Sequence, residues 1–211
     1  MLNKFENIDF YMITDSILSK NGIFSDVKNA IQAGCKIVQY REKNKPTRVM
    51  VEEAKKLKKI CDKKAIFLIN DRIDIALAVD SDGVHIGQDD MAFETVKKLI
   101  GNDKFIGMTV HNLEEAYQAE KYGVDYIGLA PIFETDTKED ALKPCGIEMI
   151  LNVRKNIKIP IVAVGGINKK NVKDVLIAGA DSVAPIKSIL SCNDIYNEIK
   201  NFINIIGEWK K

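Results

Sequence analysis

The sequence predicts an α/β chain folded as a single (β/α)8 barrel. Short apolar, β-branched runs alternate with longer segments of helical period along the chain, the pattern of a parallel sheet covered by helices. The short runs are apolar throughout, as expected of strands buried on both faces. Eight such units fit into 211 residues, near the lower size of a closed barrel. An open doubly wound sheet is the competing arrangement.

Strands are expected at 9–14, 35–40, 65–69, 83–86, 105–109, 125–130, 160–164 and 181–186. The intervening segments carry one apolar stripe each. In 47–62, Met50, Ala54, Leu57 and Cys61 recur at helical spacing, and in the last segment Ile195, Ile199, Phe202 and Ile206 do the same. Such stripes are core packing against a sheet. A short junction recurs at Ala33-Gly34-Cys35-Lys36, Tyr122-Gly123-Val124-Asp125 and Ala178-Gly179-Ala180-Asp181. There a helix ends on the left-handed residue that glycine tolerates, and a strand begins. No linker-like or low-complexity stretch divides the chain, so 1–211 reads as one domain.

Composition narrows the function classes. Hydrophobic residues make up 46% and charged residues 29%, with a net charge of +1. No bulk field then favours nucleic acid or an anionic membrane, and any bound anion must be held by local charges. The N-terminal residues lack the apolar core of a signal peptide, and no apolar run approaches the roughly 18 residues of a membrane span. The four cysteines are scattered without paired spacing, which suggests neither a zinc site nor a disulfide framework. Cys35 and Cys61 read as small core residues. A cytoplasmic protein without membrane or nucleic-acid partners is expected.

A barrel of this kind carries its active site at the C-terminal strand ends, and the polar residues gather there. Just past successive apolar runs come Gln39-Tyr40-Arg41-Glu42-Lys43, Asn70-Asp71, Gly87-Gln88-Asp89-Asp90, Thr109-Val110-His111, Thr135-Asp136-Thr137-Lys138, Gly165-Gly166 and Pro185-Ile186-Lys187. Asp71, Asp89 and Asp90 offer hard oxygens of the kind that hold magnesium together with substrate phosphates and waters. Each also precedes a helix, so an N-cap role stands equally open. Arg41, Lys43 and Lys138 supply cations on separate loops, against a default of solvated surface charge. Gly165-Gly166 lets backbone approach a ligand before a helix expected near Asn168, whose free N–H groups suit a phosphate. Of the two histidines, His85 lies inside an apolar run and reads as a buried structural residue. Neither a G-x-S-x-G elbow nor H-E-x-x-H occurs. The set suits chemistry carried by positioning and electrostatics.

The collinear elements Q-x-R-x-K (Gln39 to Lys43), N-D (Asn70-Asp71), G-Q-x-D (Gly87 to Asp90) and T-x-T-K (Thr135 to Lys138), followed by Val164-Gly165-Gly166-Ile167, resemble the thiamine phosphate synthase family from about residue 10 to about residue 190. The resemblance implies a transferase of thiamine biosynthesis that joins a pyrimidine pyrophosphate to a thiazole phosphate and releases pyrophosphate. It implies that Gln39, Arg41, Lys43, Asn70 and Lys138 bind the pyrimidine pyrophosphate, with Arg41, Lys43 and Lys138 catalytic. Asp71 and Asp90 would ligate Mg2+, with Asp89 alongside. Thr109 stands where the family usually has a serine against the pyrimidine. Thr135 and Thr137 would meet the thiazole phosphate with Gly166, Ile186 and Lys187. Tyr40, Glu42 and Asp136, within the same motifs, join the substrate-binding set. No protein base is required, because the electron-rich aminopyrimidine can stabilise a positive methylene once pyrophosphate departs.

Three positions depart from the family pattern. Thr109 replaces serine, and Ala130 takes a place that is often glycine. Pro185-Ile186-Lys187 ends the eighth run where an apolar pair and a serine are usual, and proline is unusual in a central strand. Lys187 then either holds the thiazole phosphate by charge or points to solvent while backbone N–H groups hold it. Competing readings are a thiazole tautomerase-like branch, another phosphate-binding barrel enzyme, and a non-catalytic barrel that binds thiazole phosphate or thiamine phosphate. The retained Asp71, Asp90, Arg41, Lys43 and Lys138 count against the first two, and the changes around Pro185-Ile186-Lys187 are the only support for the third. The oligomeric state is not readable from the sequence.

Overall fold

The structure, a computed structural model, describes residues 5, 8–135, 137 and 143–209. Eight strands form one sheet in chain order. They are β1 (Tyr11–Ile13), β2 (Ile37–Tyr40), β3 (Ile66–Asn70), β4 (Gly83–Ile86), β5 (Phe105–Val110), β6 (Tyr126–Leu129), β7 (Ile161–Val164) and β8 (Ser182–Ala184). Each pairs in parallel with the next. A parallel bridge between Phe10 and Val183 closes the ring, supported by the Val183 N–H donating to Asp9 O at 3.2 Å. This is the closed (β/α)8 barrel rather than the open sheet.

The helices are α1 (Ile23–Ala33), α2 (Thr47–Cys61), α3 (Ile73–Val79), α4 (Phe93–Ile100), α5 (Leu113–Tyr122), α6 (Gly146–Asn156), α7 (Val172–Ile177), α8 (Lys187–Leu190) and α9 (Ile195–Trp209). The stripes expected of α2 and α9 are the buried ones: Met50, Ala54, Leu57 and Cys61 in the first, Ile195, Ile199, Phe202 and Ile206 in the second. Gly34, Gly123 and Gly179 all have positive φ at the helix-to-strand junctions.

Strand parity splits the core in two. One set, including Phe10, Val38, Tyr40, Phe67, Ile69 and Val84, packs outward under the helices. The other, including Tyr11, Ile13, Ile37, Leu68, Tyr126 and Val162, fills the barrel interior. Glycines of β5 and β6 make room there: a Cβ on Gly107 would fall within the Tyr126 ring, and one on Gly128 would sit 3.1 Å from His85 Cε1. Cys35 and Cys61 are buried, as expected.

Several boundaries differ from expectation by one or two residues, and two of the differences have a clear local cause. The eighth strand ends at Ala184, not at 186. Pro185 has no N–H to continue the ladder, so it lies just past the strand and removes no bond from it. The helix expected near Asn168 starts at Val172. The Asn168 side chain accepts the Lys170 N–H at 2.9 Å, and Asn171 Oδ1 accepts the Asn168 N–H at 2.8 Å. That local turn competes with helix in the way Asx side chains do.

Candidate active site

A cavity of about 1160 Å³ opens at the C-terminal ends of the strands. A second depression of about 840 Å³ lies at the opposite end, lined by Lys36, Lys58, Asp82 and Lys104 among others. Two of its lysines are paired, Lys58 with Asp82 and Lys104 with Asp80. The first cavity holds the sequence-predicted residues Arg41, Lys43, Asn70, Asp71, Asp90, Thr109, Thr135, Thr137, Gly166, Ile186 and Lys187.

β2 and the loop after it supply the cations. Alternation along the strand puts Gln39 and Arg41 on the interior side and turns Tyr40 outward. The Tyr40 hydroxyl accordingly donates to Glu53 Oε2 of α2 at 2.7 Å. Arg41 Nη1 lies 3.2 Å from Asp15 Oδ2, and Asp15 Oδ1 accepts the N–H groups of Ile17 and Leu18, each at 3.0 Å. The guanidinium is therefore held by a carboxylate that is itself held. Glu42 folds back onto its own loop: Oε1 accepts the Lys43 and Asn44 N–H groups at 2.9 and 3.0 Å, and Oε2 accepts the Ser16 hydroxyl at 2.6 Å. Gln39, Tyr40 and Glu42 do not line the cavity. Asp136 and Lys138 lie outside the described residues.

The carboxylates face these cations. Lys43 Nζ lies 2.5 Å from Asp71 Oδ2. Asp71 has a φ of 59°, a left-handed conformation that aspartate adopts more readily than most residues. Its N–H donates to His85 O at 2.8 Å. Asp90 Oδ2 accepts the Gly87 N–H at 2.6 Å. Neither carboxylate caps a helix, since the N-caps of α3 and α4 are Arg72 and Ala92. Instead the two carboxyls lie within hydrogen-bonding reach of each other. Burial raises the Asp71 carboxyl, but the Lys43 ammonium and Asp90 outweigh it and hold Asp71 below the usual carboxylate range. Asp90 moves the other way, pushed up by burial and by the Asp71 carboxylate against the Gly87 N–H. Two like charges forced together in this way fit a hard divalent cation. Among the described residues no group of three or more His, Cys, Asp or Glu could cage a metal. Any such ion would need ligand oxygens from substrate and water.

The far wall is backbone-rich. Gly165 and Gly166 have φ of 98° and 64°. A Cβ on Gly165 would meet Pro131 Cβ at 2.7 Å, and one on Gly166 would meet Phe133 Cβ at 2.6 Å. The glycines thus let the loop after β6 lie directly on the loop after β7, where the Phe133 N–H donates to Gly165 O at 3.1 Å. Thr135 and Thr137 face each other with hydroxyls 3.1 Å apart. Ser188 lines the cavity beside Lys187, and its hydroxyl donates to Ile167 O at 2.9 Å. Sequence reasoning did not single out Asp15 or Ser188. Asp15 follows an apolar run like the other rim residues, and that position was the signal.

A closed eight-stranded barrel with opposed carboxylates and cations at its C-terminal rim is the arrangement of a (β/α)8-barrel enzyme. Residues 10–189 match the family model for thiamine monophosphate synthase. The thiamine-phosphate synthase of Methanosarcina mazei is 57% identical over 205 residues, covering 97% of this chain and 85% of that one. That of Methanosarcina barkeri is 55% identical over 206 residues, covering 98% and 94%. The solved thiamine phosphate pyrophosphorylase of Pyrococcus furiosus superposes with a TM-score of 0.88 at 38% identity, covering 97% of this chain and 98% of that one. The chain belongs to the thiamine monophosphate synthase family, and it is an enzyme of the transferase class. No helix among the described residues is long and apolar enough to cross a membrane.

Proposed function

We propose that the protein couples 4-amino-2-methyl-5-(diphosphomethyl)pyrimidine with thiazole phosphate, giving thiamine phosphate and pyrophosphate, with Mg2+ held by Asp71 and Asp90. The observation that carries this reading is the contact of Lys43 with Asp71, with Asp90 and Arg41 at the rim of the same cavity. Magnesium is usually held by one or two carboxylates plus substrate phosphates and waters. Bound there, it would supply positive charge to the pyrophosphate oxygens.

The chain's own residues do the rest. Arg41 and Lys43 bind the pyrophosphate, joined by Lys138, and stabilise the negative charge that grows as the methylene C–O bond breaks. Both electrons of that bond leave with pyrophosphate. The thiazole nitrogen then gives its lone pair to the methylene carbon, so no protein base is required. Asn70 and Thr109 face the pyrimidine. Thr135, Thr137, Gly166, Ile186 and Lys187 form the opposite wall, where the thiazole phosphate would sit. Lys187 lines that wall, which supports an ammonium clamp where the family pattern has a serine. The reading takes two small-molecule substrates, in the cytoplasm, with no nucleic-acid or membrane partner.

The test is to incubate the protein with both substrates and Mg2+ and to follow thiamine phosphate by thiochrome fluorescence. Product that disappears with a chelator and in Asp71→Ala supports the reaction and its metal site. No product from intact substrates refutes the reading.

A further inference from the structure

A chain of polar side chains crosses the barrel interior beneath the cavity floor. Gln39 Nε2 donates to the Tyr11 hydroxyl at 2.9 Å. The Tyr11 and Tyr126 hydroxyls are 2.7 Å apart. Tyr126 OH lies 2.8 Å from His85 Nδ1, and His85 Nε2 lies 2.8 Å from Thr109 Oγ1. Gln39, Tyr11 and Tyr126 are at most 2% exposed. Thr109, at the end of the chain, lines the cavity.

The protons in this chain can be placed by satisfying every buried group. Gln39 turns its Nε2 toward Tyr11, and that nitrogen has only hydrogens to offer, so the Tyr11 oxygen accepts. The Tyr11 hydrogen then has one acceptor within reach among the described residues, the Tyr126 oxygen. Tyr126 in turn must direct its own hydrogen to His85 Nδ1. An imidazole that accepts at Nδ1 carries its hydrogen on Nε2, and that hydrogen goes to the Thr109 oxygen. The reverse polarity would strand the Tyr11 hydrogen in the core without an acceptor.

We propose that this relay, anchored by Gln39, fixes the Thr109 hydroxyl as a hydrogen-bond donor into the cavity, with Tyr11, Tyr126 and His85 as positioning residues. Thr109 receives its one incoming bond from His85 and has no second partner among the described residues. Its own hydrogen therefore points at the ligand. The substrate atom it meets must be an acceptor, such as an unprotonated ring nitrogen, and an analogue presenting N–H at that atom is rejected. The polarity of the relay stands by itself, whereas the consequence for turnover rests on the proposed coupling reaction.

Long-range proton–nitrogen correlation spectra of 15N-labelled protein test the polarity without substrates. The chain has only two histidines, His85 and His111, and His111→Asn assigns the pair. Wild-type His85 is expected as the Nε2–H tautomer. Tyr126→Phe removes the donor to Nδ1, and Tyr11→Phe frees Tyr126 to turn, so each variant is expected to mix the tautomers. An Nδ1–H tautomer or a doubly protonated ring in the wild type would overturn the proposal, as would an unchanged tautomer in a folded Tyr126→Phe. In turnover, Tyr126→Phe is expected to lower kcat/KM by on the order of tenfold, the size of one misdirected neutral hydrogen bond. Thr109→Ser should keep activity and Thr109→Val should lose at least as much as Tyr126→Phe. Reduced turnover in Tyr126→Phe with an unmoved His85 spectrum would mean a structural role only, and the relay would be wrong.

Discussion

Replacing Glu42 by alanine should destabilise the protein by about 3 kcal/mol. Glu42 is 8% exposed and accepts three hydrogen bonds, from Ser16 Oγ and from the Lys43 and Asn44 N–H groups. A bond to a charged acceptor contributes about 1.5–3 kcal/mol, and a neutral one about 1. The Lys43 and Asn44 side of the loop is exposed, so water partly replaces the lost acceptor and each bond contributes only about 1 kcal/mol. Lys45 loses its ion pair with Glu42 Oε2 at 3.3 Å but keeps its contact with Glu53 at 2.8 Å, so that loss is small. For a chain of this length, 3 kcal/mol corresponds to a fall in Tm of roughly 6–12 °C. Glu42→Gln, which keeps an acceptor for the two amides, should lose about a third of that. The effect must also depend on pH. Burial raises the Glu42 carboxyl, but Ser16, the Asn44 N–H and Lys45 outweigh it and hold it below its ordinary value. A depressed carboxylate contributes its stability in full above the unfolded value near about 4.3, and the contribution is lost as pH falls through the lower folded value. Thermal melts followed by circular dichroism at neutral and acid pH should show the gap between wild type and Glu42→Ala closing in acid. A Tm unchanged at pH 7, or a gap that persists undiminished at low pH, would refute the loop-clamp reasoning. Loss of substrate binding in a variant of undiminished stability would instead support a direct substrate contact.

Four further outcomes are expected. Chelation should abolish turnover and added Mg2+ restore it, while Asp71→Asn and Asp90→Asn each lower kcat by about a hundredfold or more, read in the thiochrome assay. Gly107→Ala drives a methyl into the Tyr126 ring and should destabilise by about 1–3 kcal/mol or more, visible as a lower Tm. Lys187→Ala should weaken apparent affinity for the thiazole phosphate several-fold without changing that for the pyrimidine, and an unchanged value would exclude the ammonium clamp. Burial pushes the Cys35 thiol up to about 11 and the Cys61 thiol up to about 12, so a thiol reagent counted by absorbance should modify at most two of the four cysteines in the native state.

The strands were legible because strands buried on both faces leave long apolar runs, and all eight appear within a few residues of their expected places. Pro185 marked an anomaly that the structure resolves simply, by ending β8 one residue earlier. The rim was legible too, since polarity returns abruptly where each run stops. What the motifs did not separate was side-chain direction. In Gln39-Tyr40-Arg41 the middle residue turns outward to Glu53, and the period of two along a strand already implies it. Nor could spacing show that Asp71 and Asp90, on different loops, share one place. That depends on the left-handed turn at Asp71 and on the Gly87 N–H that holds Asp90. The interior relay stayed hidden because Tyr11, His85 and Tyr126 sit inside apolar runs and pass for core. A buried tyrosine hydroxyl nonetheless requires a partner, and two of them on one parity with Gln39 were the available sign.

The join between the first and last strands has a consequence for how the barrel forms and opens. Seven of its eight neighbouring strand pairs are laid down one after another along the chain. Among the described residues the eighth links Phe10 to Val183 by one bridge, with the Phe10 ring 6.0 Å from Phe202 of α9. This contact spans most of the sequence, so its loop-closure entropy is among the largest in the molecule. It is held by two of the shortest strands, three residues each. Barrel closure is therefore expected late in folding, and the seam between β8 and β1 is where native-state opening is expected to begin. Ile186 and Lys187 follow directly from β8, so the same opening would loosen one wall of the cavity before the carboxylate wall on β3 and β4 is disturbed.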